Sequence, residues 1–193
     1  MNFQLPNSSK EKVALAIYDS KPSAEEMKQG KKPAFLTAKD LNIPAVVYTA
    51  GHLGGYYIDL RVVPAFRQQY DTIITQLCWY IDSVVGRENF DWVASSESAG
   101  ISWGQSVADY FRKPFSFGRK EVKEYGTAKT IEGYIPTGST GIIVDDLSTT
   151  LKSSTITANG IRRESAKPSA TFVNFDRMQY TNKQLEELGT EFH

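Results

Sequence analysis

Cysteine and histidine are nearly absent from this chain of 193 residues: Cys78 is its one cysteine, and His52 and His193 are its two histidines. A single thiol excludes an intramolecular disulfide and a cysteine-built zinc site. Two histidines leave little room for histidine-based metal or triad chemistry. Cys78 lies among apolar neighbours at helical spacing, which reads as a small buried hydrophobe rather than a nucleophile. An excess of one charge is also missing, since 22 Lys and Arg balance 22 Asp and Glu. That balance argues against nucleic acid or an acidic membrane as the general partner. No apolar run approaches the roughly 20 residues of a membrane span. Met1 to Pro6 lacks the basic stretch and apolar core of a signal peptide. The expectation is a soluble, cytoplasmic protein. There are no repeats and no low-complexity stretches, and the length suits one domain, or one domain with a small extension.

What is present is a βα alternation with one conspicuous strand end. Gly141-Ile142-Ile143-Val144 reads as a buried parallel strand. Two carboxylates, Asp145 and Asp146, follow it, and then a hydroxyl-rich turn, Ser148-Thr149-Thr150, that leads into a helix. In open α/β sheets ligands bind at the carboxyl ends of strands. A helix N-terminus just beyond offers N–H groups and a positive dipole end to a phosphate. Acids beside such a cradle suit a phosphorylated ribose. The plainer reading is that Asp and Thr simply cap the next helix.

Around this strand the pattern is regular. Ser8 with Glu11 marks a helix from about residue 9, and Ser23 with Glu26 marks a short one that ends near Gly30. Strand-favouring stretches at 45–49 and 56–60 flank a glycine-rich loop. Apolar residues at helical spacing fill 66–85. Strands at 92–94, 115–117 and 170–173 alternate with helices, and Thr181 with Gln184 caps the last of them. The expected architecture is α/β, a parallel sheet flanked by helices with right-handed crossovers. Residues 1–65 form an N-terminal hood and residues 66–193 the core. Residues 119–139 are polar and aperiodic. Such a stretch is either a solvated face or a lid carrying cations over an active site.

In order along the chain, these segments resemble the type I phosphoribosyltransferases, and within them the branch that uses orotate. Tyr56-Tyr57-Ile58-Asp59-Leu60-Arg61 resembles the early strand whose aromatic residue packs near the base. Ser98-Ala99-Gly100-Ile101 resembles the small-residue loop whose backbone contacts pyrophosphate. Arg119 to Gly126, with Ile131-Glu132-Gly133, resembles the mobile catalytic loop and its return. The strand ending in Asp145-Asp146 resembles the phosphoribosyl-pyrophosphate motif, and Asp176-Arg177 a pair whose arginine contacts the orotate ring. There are four departures from the pattern: Leu151-Lys152 replace glycines, Tyr125 replaces a histidine, Ala50 a lysine, and Ala99 a basic residue of some members.

The resemblance implies Mg²⁺-dependent displacement of pyrophosphate from phosphoribosyl pyrophosphate (PRPP) by a pyrimidine base, giving a nucleoside monophosphate. Negative charge building on the leaving group calls for cations and N–H groups rather than a covalent nucleophile. On this reading Lys120 and Lys123 act at that charge, with Lys123 the acid-like residue, and Arg119 clamps the pyrophosphate. Asp145 and Asp146 hold the ribose hydroxyls. Ser148, Thr149, Thr150, Lys152 and Ser153 surround the 5′-phosphate, with Leu151 crowding the turn. Mg²⁺ is carried mostly by substrate oxygens, with no dedicated protein ligands. The resemblance also implies a homodimer. The alternative is a catalytically weak or inactive protein of the same fold that binds a nucleotide or phosphoribosyl ligand as a regulator.

Overall fold

The computed structural model describes residues 7–48, 51, 53–120 and 130–193. The chain divides into two compact units, Met1–Gln76 and Leu77–His193. The division falls inside one continuous helix, whereas the sequence placed the end of the hood at residue 65, just ahead of that helix.

In the first unit, helix α1 spans Asn7–Asp19 and α2 spans Ala24–Lys28. Helix α1 already includes Ser8, which therefore lies in its first turn instead of capping it. Ser23 does cap α2 with the reciprocal Glu26 bond expected from the sequence. Strand β1 (Phe35–Thr37) pairs antiparallel with β4 (Tyr56–Ile58), and β2 (Val46–Val47) with β3 (Leu53–Gly54). Ala38, Val46 and Tyr48 form a small core, and the Tyr48 hydroxyl donates to the Tyr56 carbonyl at 2.7 Å. Helix α3, Arg67–Val84, crosses the division and ends before Gly86, whose φ is 81°.

The second unit is built on a six-stranded sheet. Its strands are β5 (Trp92–Ser96), β6 (Phe115–Gly118), β7 (Ile131–Glu132), β8 (Thr140–Ser148), β9 (Lys167–Asp176) and β10 (Glu191–Phe192). Their spatial order is β10-β9-β8-β5-β6-β7, all parallel except the antiparallel β7. Helices α4 (Gly100–Phe111), α5 (Lys152–Arg163) and α6 (Asn182–Leu188) complete the unit. From β5 the chain moves outward to β6, then returns to the other side of β5 as β8. The order thus reverses between β5 and β8, which is where open α/β sheets open a crevice for ligands.

Every residue of β5 is buried, as a central strand covered on both faces requires. Trp92, Ala94 and Ile143 meet Leu151, Ala158 and Ile161 in one core. Strand β8 continues through Asp145 and Asp146 to Ser148, where the sequence had ended it at Val144. Pairing with β9, Asp145 opposite Val173 and Leu147 opposite Phe175, carries it on despite the polar residues. Cys78 is buried, and that burial, with the nearby Asp82 charge second, pushes its thiol up to about 12. It packs as a hydrophobe, as its neighbours in the sequence predict. Among the described residues no helix is long and apolar enough to cross a membrane.

Candidate active site

The carboxyl ends of β5, β6, β8 and β9 lie along one edge of the sheet, because the four strands are parallel neighbours. Each runs directly into a segment singled out in the sequence. Strand β5 leads to Glu97-Ser98-Ala99, β6 to Arg119-Lys120, β8 to Thr149-Thr150-Leu151, and β9 to Arg177. Thus the topology brings together, at one edge, residues scattered over about half the chain.

Asp145, near the end of β8, is buried, at 4% exposure. Its Oδ1 accepts the Asp146 N–H at 3.1 Å, and its Oδ2 accepts the Ser154 hydroxyl at 3.4 Å. Ser96 also donates to the carboxylate, and Ser96 in turn meets the Thr157 hydroxyl at 3.1 Å. Burial holds the Asp145 carboxyl well above the ordinary carboxylate range, and the neighbouring Asp146 charge adds to this. Asp146 itself is only half-buried. Helix α4 comes close enough that a Cβ at Gly100 would clash with Asp145 Oδ1. Gly100 is therefore dictated by the approach of α4 to β8, in addition to any role in the small-residue loop. Ser98 is exposed, Ala99 precedes the helix, and the Glu97–Ser98 peptide is cis.

The turn after β8 departs from the sequence expectation. Leu151 adopts left-handed backbone, φ 61°, and its side chain is 2% exposed within the Trp92–Ile161 core. Its side chain is taken up by that core and not left at the open face of the turn. Lys152 and Ser153 open α5 and are exposed. Ser148 Oγ is buried with no hydrogen-bond partner among the described residues, and Thr149 Oγ1 accepts from Arg177 Nη1 at 3.4 Å. The Arg177 N–H donates to the Ser148 carbonyl at 3.0 Å. Arg177 is thus tied to the turn that precedes α5.

On the other side, Arg119 pairs with Glu132 of β7 at 2.5 Å, and its N–H donates to the Thr130 carbonyl. The expected pyrophosphate clamp is engaged with a carboxylate of the loop's return strand, to which the resemblance assigned no role of its own. Lys120 is exposed, and its backbone N–H donates to Glu97 Oε1 at 2.6 Å. Lys123, Tyr125 and most of the expected lid lie outside the described residues, as does Ala50. Tyr57 belongs to the first unit, where its hydroxyl accepts from Arg61 Nη2 at 3.2 Å. Ser96 and Glu97 had no local signal for these contacts, since their partners Thr157 and Lys120 come from elements distant in sequence.

This sheet recurs in solved structures. Orotate phosphoribosyltransferase from Aeropyrum pernix superposes with a TM-score of 0.70 at 23% identity, covering 86% of this chain and 87% of that one. Adenine phosphoribosyltransferase from Saccharomyces cerevisiae gives a TM-score of 0.67 at 18% identity, covering 97% and 98%. The fold is that of the phosphoribosyltransferases. No family model matches the chain. Among curated relatives, the orotate phosphoribosyltransferase of Cenarchaeum symbiosum is 32% identical over 145 residues, 75% of this chain and 72% of the relative. That of Roseobacter denitrificans is 33% identical over 183 residues, 89% and 79% of the two chains. The chain belongs to the orotate phosphoribosyltransferase family.

Proposed function

We propose that this protein transfers the phosphoribosyl group of PRPP to orotate, releasing pyrophosphate and forming the nucleoside 5′-monophosphate. The observation that carries the reading is the meeting of Asp146, the 148–153 turn and Arg177 at the reversal edge of the sheet, in a chain of this family. Half-buried Asp146 accepts a ribose hydroxyl, and Asp145 beside it completes the pair. Ser148, Thr149, Thr150 and Ser153, with Lys152, receive the 5′-phosphate at the N-terminus of α5. Arg177, tied to that turn, offers a planar donor fork to an acidic pyrimidine. The Ser98-Ala99-Gly100 loop supplies N–H groups to the pyrophosphate, and Lys120 with Arg119 supplies positive charge as it leaves.

Among the described residues no group of three or more His, Cys, Asp or Glu could hold a metal ion. Mg²⁺ would be carried mainly by pyrophosphate and ribose oxygens, as hard cations with substrate phosphates are. When bound, that ion would neutralise charge on the leaving group. The working form is a homodimer, as the family resemblance implies. Sedimentation at working concentration should give twice the chain mass, and a monomer that turns over at full rate would remove this part of the proposal.

The function is tested by pyrophosphate release from PRPP and Mg²⁺ with a panel of bases. Orotate should support turnover while adenine and uracil do not. Binding of PRPP without turnover on any base would favour the regulator reading instead.

A further inference from the structure

Strand β9 ends at Asp176, and the chain turns at once through Arg177, Met178 and Gln179 to Tyr180. One carboxylate spans this turn from both sides. Asp176 Oδ1 accepts the Met178 N–H at 2.8 Å, and Asp176 Oδ2 accepts the Tyr180 hydroxyl at 2.6 Å. Met178 is thereby held at φ 54°, a left-handed conformation unusual for a non-glycine residue, with its side chain 78% exposed. The Tyr180 ring is fixed from behind, edge-on to Phe192 at 5.4 Å and packed on the Trp92–Ile161 core. Burial first, and the bond to Asp176 second, push the Tyr180 phenol up to about 12, so it remains a donor at any working pH. Arg177, bracketed by these contacts, is joined on its other side to Ser148 and Thr149.

We propose that Tyr180 and Asp176 are positioning residues that set Arg177 against the 148–150 turn, so that affinity for the base depends on a phenol anchored in the core. The inference rests on the reading of Arg177 as the contact to orotate. A residue that merely stabilised the turn would change thermal stability and both substrates together. A positioning role changes the base alone.

The experiment is steady-state kinetics with orotate and PRPP, plus thermal unfolding, on four variants. Tyr180→Phe keeps the ring and removes one hydrogen bond to a charged group; the KM for orotate should rise about three- to tenfold. The KM for PRPP and kcat should stay within about twofold, and the unfolding midpoint should move little. Asp176→Ala frees both the Met178 N–H and the phenol and should raise the orotate KM further. The double variant should be no worse than Asp176→Ala alone, because Tyr180 acts only through that carboxylate. Arg177→Ala should exceed them all. If Arg177→Ala raises the orotate KM and Tyr180→Phe does not, the positioning pair is refuted while the base contact stands. Equal rises in both KM values with Tyr180→Phe, or a double variant that is additive, also overturn the pair. If Arg177→Ala leaves the orotate KM unchanged, the base contact itself falls and the positioning role with it.

Discussion

Leu151 places two opposing costs in one side chain. Left-handed backbone at φ 61° costs a non-glycine residue about 1–2 kcal/mol. Full burial of a leucine contributes about 1.5–3 kcal/mol, so packing outweighs strain. Leu151→Gly relieves the strain but leaves a cavity, and the net loss should be about 1–3 kcal/mol, read from the denaturant midpoint. Affinity for PRPP should stay within about twofold in that variant, because the side chain points into the core. Tighter binding by calorimetric titration would show that the leucine does crowd the phosphate. Asp145 gives a second residue-scale expectation. Its carboxyl is raised by burial and then by Asp146, so the folded chain keeps a proton that the unfolded chain has lost. Its contribution is whole below the ordinary carboxylate value of about 4 and is lost as pH rises through the raised folded value. Asp145→Asn, which mimics the protonated form, should flatten this decline and gain on the wild type toward alkaline pH. Parallel stability curves for the two proteins from pH 5 to 9 would contradict the assignment.

Between elements, the closest constraint is the approach of α4 to β8 at Gly100 and Asp145. Gly100→Ala forces a methyl onto the buried carboxylate and should destabilise by about 1–3 kcal/mol. It should also weaken PRPP binding, because Asp145 must shift beside Asp146. An unchanged melting temperature with unchanged PRPP titration would mean that α4 can move away at little cost. The elements legible in the sequence were those with local causes. Helix α3 carries its own period, and Ser23 and Thr181 form reciprocal caps with Glu26 and Gln184. Strands β3, β7 and β10 have two residues each and exist only by pairing, which leaves no period to read. The polar half of β8 was hidden for the same reason, since β9 and not β8's own composition extends it. The site divides the same way. Asp145 and Asp146 stood out as adjacent acids after an apolar run. Ser96, Ser154 and Tyr180 could not, because their partners come from other elements.

Over the whole molecule, a parallel sheet whose order reverses between β5 and β8 collects the carboxyl ends of four strands on one edge. A near-neutral chain with one buried thiol has little use for nucleophilic or histidine-based chemistry there. What it offers at that edge is carboxylate beside hydroxyls, helix N–H groups and arginine, a set suited to binding a charged sugar phosphate and letting pyrophosphate leave. The chain's family agrees with such a chemistry, with orotate phosphoribosyltransferase relatives at 32% and 33% identity over most of the chain. The central claim is that orotate is the acceptor. Its most direct test is to incubate the purified protein with PRPP, Mg²⁺ and orotate, and to quantify by chromatography the orotate consumed, the pyrophosphate released and the orotidine 5′-monophosphate formed. The account predicts that the three change one for one, and that Asp146→Asn slows them together. Pyrophosphate release without the nucleotide, or no consumption of orotate while PRPP binds, would contradict it.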